Sequence, residues 1–526
     1  MRLRRVRRAL DGGYALEAHW REGAEVRAAF EASGRRYDEP LVLVFDYTVY
    51  RVFDDGSMLE LTHNIFQLQS QEAVDRMGEY RVPDGAHVLT LQTIKADGRR
   101  LEPDEIAGKE TISFPNLAPG DYIEYEYVRP RPAPAGYPGG FLGDRFYFRN
   151  YETPFDRSQL TVITPRDVEL TLDPRGAAPE TEERVEGDTR IHRWTVQESR
   201  PFEPEPASVP PTEFFPSILW GHGASWERYV ESLRDVLADR DVRDPAAERL
   251  VAEVVGEERA TPEQRAARLH RWVVTNIEPS QDVFGLAPAM VAARTGNRAR
   301  VLRYLLEAAG IEAELALVRS FTADASEAAL PSDDIYQNLL VRMRGTDGVR
   351  WIYADARGAP FDYVPPALAG MEALLLSDGG GRATVPARDL EADRRTVEVD
   401  VALRRDGGAR LSVVETFRGA GAVLWRDQLE EIPDADLEDQ LEAAYVANLL
   451  PGAELTRLRV TGREDPGQPL RLRYEVEMRS LARQADGAWV VPPLYRARLG
   501  PQYAPMARRD IPQLVPRGLA LDVEVR

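Results

Sequence analysis

From Leu41 onward, short runs of alternating apolar and polar residues are broken by Gly-containing turns, and this period predicts strands. The runs are 41–53, 58–69, 87–95, 122–128, 145–149, 159–163, 168–172 and 189–196, with turns at Asp54-Asp55-Gly56, Ala96-Asp97-Gly98 and Pro119-Gly120-Asp121. Strands so spaced predict a β-sandwich over residues 38–200. Residues 1–37 are charged and punctuated by glycine, with Leu10, Tyr14, Leu16, Trp20, Val26 and Phe30 as scattered apolar contacts. They predict a helical lead-in that packs on the β-domain after it. Residues 129–140 are Pro-rich and read as a loop of the β-domain. The Pro-rich stretch 201–221 predicts a linker, since β patterning gives way to helical patterning beyond it.

Helical periods then dominate. Ser225 predicts an N-cap. Thr261-Pro262-Glu263-Gln264 predicts another helix start, with a cap, proline at N1 and glutamine at N3. From the Gly296-Asn297 turn to Gly310, the stripe Val301, Leu302, Leu305, Leu306 and Ala309 predicts a helix. Strands at 312–318, 335–343 and 350–355 complete an expected domain over 222–380. A glycine run at 379–381 marks the next boundary. A hairpin (396–404 and 410–418), a helix at 434–450 and strands at 456–461, 470–478 and 519–525 predict a C-terminal β-rich domain with one helix over 390–526. The expected class is multidomain α+β.

At 526 residues the chain exceeds one core, and its net charge of -20 argues against nucleic acid or an anionic membrane as main partner. No apolar run approaches the roughly 18 residues of a membrane span. The arginine-rich opening, Met1–Arg8, is not read as a signal peptide, because Asp11-Gly12-Gly13 stands where an apolar core would come next. Its abruptness suggests a chain cut from a longer precursor. Cysteine is absent, which excludes disulfides, thiol catalysis and cysteine-held zinc. The histidines, at 19, 63, 87, 192, 222 and 270, have no metal-ligand spacing, and no cofactor motif is found. Asp333-Asp334 reads as a solvated acidic loop. Gly221-His222-Gly223-Ala224-Ser225 lacks the nucleophile-elbow order, and His270 reads as a core-edge residue of its helix.

Residues 285–311, ending Leu305-Leu306-Glu307-Ala308-Ala309-Gly310-Ile311, resemble the nucleophile helix of the transglutaminase-like superfamily, a papain-like fold. The runs 93–99 and 117–125 resemble an uncharacterised β-domain that often precedes such domains in bacterial proteins. The resemblance implies a Cys-His-Asp site. Where the family has Gly-Asp-Cys, this chain has Gly296-Asn297-Arg298, and a gapless alignment from Gly310 places Thr295 there instead. Asn338 stands in the histidine's place, whereas Asp355 keeps the aspartate. With no thiol anywhere and no histidine after His270, the expectation is a catalytically dead module. Such a module would act as a scaffold or bind a protein, peptide or glycan, and the resemblance implies an envelope location. A hydrolase using Thr295 and a structural spacer are the alternatives. Arg298 reads as a cation gripping an anionic ligand or as a salt-bridge partner of Asp355, and either role places it near the Asn338–Asp355 strand pair.

Overall fold

A computed structural model describes residues 16–103, 111–134, 139–237, 244–256, 260–281, 283–323, 328–377, 380–495, 500, 504–514 and 520–526. Leu10 and Tyr14 lie outside the described residues, as do residues 135–138 of the expected Pro-rich loop and residues 378–379 of the glycine boundary. The fold is multidomain α+β, in two compact units: residues 1–232 with 323–332 and 510–513, and residues 233–322 with 333–509 and 514–526.

The first unit is built on an eight-stranded sheet. Its order is Glu182–Glu186, Thr189–Ser199, Phe155–Pro165, Leu41–Val52, Met58–Leu68, Tyr122–Arg131, His87–Ile94 and Arg100–Leu101. Leu41–Val52 runs parallel to Phe155–Pro165 and antiparallel to Met58–Leu68. It is buried along nearly its whole length because both faces of the sheet are covered. On one face Phe45, Tyr47, Val49 and Ile65 pack with Leu16 and with Phe30 of the helix Gly23–Ser33, so the expected lead-in is part of this core. On the other, Tyr50, Val52, Leu160, Val162 and Trp194 pack with Phe141, Phe148, Ile218 and Trp220.

Ile218 and Trp220 belong to the strand Ser217–His222, which joins Thr171–Arg175, Phe141–Leu142 and Phe146–Tyr147 in a small second sheet. The expected linker 201–221 is corrected at this point. Alternate residues of 217–222 have a core to enter, which a proline-rich context disguised. Of the β-sandwich expectation, two packed sheets are present: one face of the large sheet meets the small sheet, while the other face meets a helix.

The second unit contains two five-stranded sheets. The first is antiparallel, ordered Gly348–Ile352, Asn338–Gly345, Ala313–Val318, Glu372–Leu375 and Arg382–Thr384. The helices Pro245–Val255, Pro262–Asn276, Ala287–Ala293 and Arg298–Ala308 lie ahead of it in the chain. The expected capping box forms. Thr261 Oγ1 accepts from the Gln264 amide at 3.3 Å, and Gln264 Oε1 accepts from the Thr261 amide at 3.0 Å. The strand expected at 350–355 ends at Ile352, leaving Asp355 in the following loop.

The second sheet is ordered Ala453–Thr461, Leu470–Met478, Ala409–Phe417, Arg395–Leu403 and Leu521–Val525. Two helical segments accompany it rather than the one expected: Gly419–Glu430, and a run from Leu437 to Leu449 with a π-helical turn at Glu442–Val446. Gly419 and Gly421 have poor helix propensity and hid the first of these. Burial of Ala422, Val423 and Leu429 forms it nonetheless. Val423 shares a buried cluster with Ala356, Ala359 and Tyr363, so packing continues across the expected boundary at 380–390.

Candidate functional site

The site grows from the turn before the helix Arg298–Ala308. Thr295–Gly296 pairs in parallel with Glu278–Pro279. Gly296 has φ 151°, and a Cβ there would lie 2.5 Å from Met290 Cγ, so only glycine fits. Asn297 is the N-cap, accepting from the Arg300 amide at 3.1 Å. Every residue from Arg298 to Leu306 is buried, a broader burial than the expected stripe. The helix ends as expected: Gly310 is left-handed, and the Ile311 amide donates to the Leu306 carbonyl at 2.9 Å.

Three arginines are buried on this helix, and each is matched locally. Arg298 Nε donates to the Ile277 carbonyl at 2.8 Å, and Nη2 to the Val274 carbonyl at 3.1 Å. Arg300 donates to the carbonyls of Val283 and Gly285. Arg303 pairs with Glu307 at 2.9 Å. A buried guanidinium must find acceptors: carbonyls ending the capped helix Pro262–Asn276 serve Arg298, those of the next loop serve Arg300, and a carboxylate serves Arg303. Burial pushes Arg298 below the usual arginine range, with nearby Asp355 opposing.

Arg298, the first helical residue, and Asp355 act on each other's charge, but no ion pair joins them. The guanidinium faces main-chain carbonyls instead. Asp355 is exposed. Desolvation raises its carboxyl, and Arg298 partly offsets this. Asn338 is half-buried, with Nδ2 3.4 Å from the Val318 carbonyl. The ladder between its strand and Gly348–Ile352 pairs Val341 with Ile352, and Asn338 and Asp355 each lie three residues beyond that pair. Thr295 is exposed and lies outside the helix, three residues ahead of its first turn.

Two contributors were not foreseen in these places. His270 is 2% exposed, with Nε2 3.3 Å from the Tyr353 carbonyl and its ring edge-on to Phe361. Desolvation lowers it to about 4, which keeps the imidazole neutral. Asp427, on the helix Gly419–Glu430, accepts from the Gly358 amide at 2.9 Å, and its carboxyl is raised by burial. On the same helix Arg426 donates to the carbonyls of Gly358, Gly462, Asp465 and Gln468. The loop after Asp355 is thereby tied to the C-terminal part of the unit. An arginine-aspartate pair directly after Trp425 carries no sequence motif that would have revealed this.

Among the described residues no group of three or more His, Cys, Asp or Glu side chains could hold a metal ion. No helix there is long and apolar enough to cross a membrane. His222 Nδ1 lies 2.8 Å from the Glu169 carbonyl, and Ser225 Oγ accepts from the Arg228 amide at 3.4 Å, which is the expected cap.

A family model described as a domain of unknown function with solved structure, DUF3857, matches residues 107–203. It fits the uncharacterised N-terminal β-domain that the sequence suggested. No curated protein matches the chain. A crystal structure described as a "putative protease" from Parabacteroides distasonis is similar in fold. The match covers 84% of this chain and 93% of that one, at 14% identity and a TM-score of 0.53. A mutant M1 zinc metallopeptidase from Deinococcus radiodurans matches at 11% identity with a TM-score of 0.21, over 41% of this chain and 54% of that one. That likeness is too weak to carry any argument.

Proposed function

We propose that residues 222–380 are a transglutaminase-like module that no longer catalyses and serves as a scaffold or as a binding domain for peptide or glycan. One observation carries the reading. Arg298 stands at the first turn of the central helix, where the family resemblance calls for a thiolate, and its guanidinium is held inward by two main-chain carbonyls. A nucleophile needs a lone pair free to attack and a base to take its proton. A guanidinium has neither property. The position of the family's imidazole holds Asn338, and the nearest sequence candidate for a base, His270, is buried against the Tyr353 carbonyl. Asp355 is retained without the pair it would orient.

A hydrolase built on Thr295 is the second reading. It is favoured by the exposure of Thr295 and by the fold shared with the Parabacteroides protein. A fluorophosphonate probe separates the two. The expected outcome is no labelling above that of the heat-denatured chain and no turnover of peptide amides. Labelling that disappears in Thr295→Ala would overturn the non-catalytic reading.

A further inference from the structure

The C-terminal sheet has two edges of different character. Ala453–Thr461 carries a register shift between Leu455 and Arg457, and Arg457 and Arg459 are exposed on it. A bulge and outward charges are the usual protection of an edge against further pairing. The opposite edge, Leu521–Val525, pairs with Arg395–Val399 in an unbroken parallel register.

The ladder fixes which way that strand faces. The Arg395 amide donates to the Ala520 carbonyl at 2.8 Å, the Arg526 amide to the Val399 carbonyl at 2.8 Å, and the Val401 amide to the Arg526 carbonyl at 2.9 Å. Alternate residues of a parallel strand turn their main-chain groups to the same neighbour. The even positions therefore serve the sheet, and Leu521, Val523 and Val525 turn their amides and carbonyls to the open side. Among the described residues no strand lies beyond this edge to use those groups.

The side chains of the same three residues share a face with the core. Val523 is opposite Val397 and Val525 is opposite Val399, both valines of the second strand being 1% exposed in the core cluster. Yet Leu521, Val523 and Val525 are 37%, 38% and 48% exposed. An apolar stripe that continues the core thus ends at an edge with unused hydrogen-bonding capacity.

We infer that this edge accepts one more strand, from a partner protein, whose residues alternate between apolar and basic. Main-chain pairing along the edge supplies affinity, and the two faces supply selectivity. On the core face the incoming side chains extend the apolar stripe. On the other face they meet Glu398, Asp400, Asp522 and Glu524, against which stand Arg394, paired with Asp522, and Arg526, 2.8 Å from Glu524. A second copy of this chain fits less well. Two-fold antiparallel pairing about Val523 sets Asp522 opposite the copy's Glu524 at two places, and directly opposed like charges are destabilising.

The probe is a capped peptide alternating valine and lysine, titrated by fluorescence anisotropy against the full chain. Binding is expected to weaken about tenfold in Val523→Pro, which removes an outward amide that the native ladder does not use. The charge reversal Asp522→Lys with Glu524→Lys should switch preference to a valine–glutamate peptide. Hydrogen exchange of the amides at Leu521, Val523 and Val525 should be fast in the free chain and slowed by the peptide. Three results would overturn the inference: no peptide binding, protection of those amides in the free chain, or sedimentation as a dimer that Val523→Pro dissociates. The last would assign the edge to a second copy.

Discussion

The large sheet of the first unit and the central helix of the second both bury ionised groups, but they neutralise them differently. On the sheet, carboxylates meet complementary donors. Glu60 lies 2.6 Å from Arg129, Asp156 lies 2.6 Å from Arg35 and 2.9 Å from the Tyr37 hydroxyl, and Glu124 lies 3.0 Å from His63 and 2.6 Å from Gln92. On the helix, Arg298 and Asp355 feel one another's charge without forming such a pair. The cation is held by neutral carbonyls, and the anion is exposed without a paired cation among the described residues. Closed pairs hold a fold together. A buried cation beside an exposed anion is a different arrangement, in which each charge is satisfied without the other.

Removing one partner of a closed pair should cost most. Asp156→Ala leaves Arg35 and the Tyr37 hydroxyl without their acceptor, and a loss of about 3 kcal/mol is expected in chemical denaturation. Arg298→Met should cost less, about 2 kcal/mol, because it strands only the carbonyls of Val274 and Ile277. If Arg298→Met proves stabilising, the guanidinium is held for a ligand and not for the fold, and the contrast breaks.

Asp46 sharpens the contrast from within the sheet. It is buried and accepts from the Ser158 hydroxyl at 2.6 Å, with no cation paired to it. Desolvation raises its pKa to about 7. As pH rises from 3.8 toward 7, the unfolded chain releases this proton while the native state keeps it, so stability falls across that window. Asp46→Asn should therefore stabilise the first unit above about pH 7, by about 1–2 kcal/mol, and give no gain below about pH 4. A thermal melt at each pH checks both signs. Smallest of all should be Asp355→Asn, whose effect on stability is expected within about 0.5 kcal/mol because the residue is exposed and makes no ion pair among the described residues. A larger loss would show that Asp355 is part of a closed pair after all.

Much of the fold was legible in local pattern. The hairpin around Asp406-Gly407-Gly408, the capping box at Thr261 and the Gly310 stop all lie where alternation, cap residues and glycine place them. Two of the elements that were missed share one cause. Ser217–His222 was disguised by prolines, and Gly419–Glu430 by glycines, yet each has a buried surface waiting for it. The site was legible only as a set of chemical types. The charges of Arg298 and Asp355 act on each other, but nothing in the residue order names Val274 and Ile277 as the acceptors, or ties Asp427 to Gly358.

The amino-acid order by itself determined which chemistry is missing, since a side chain absent from a polymer cannot be supplied by folding it. It also determined where most turns and caps fall, because those depend on neighbours along the chain. Only the tertiary structure decided whether Arg298 points to a ligand, to Asp355 or into the protein. That choice depends on which carbonyls arrive within hydrogen-bonding distance from residues more than twenty positions earlier, and on how completely water is excluded around them.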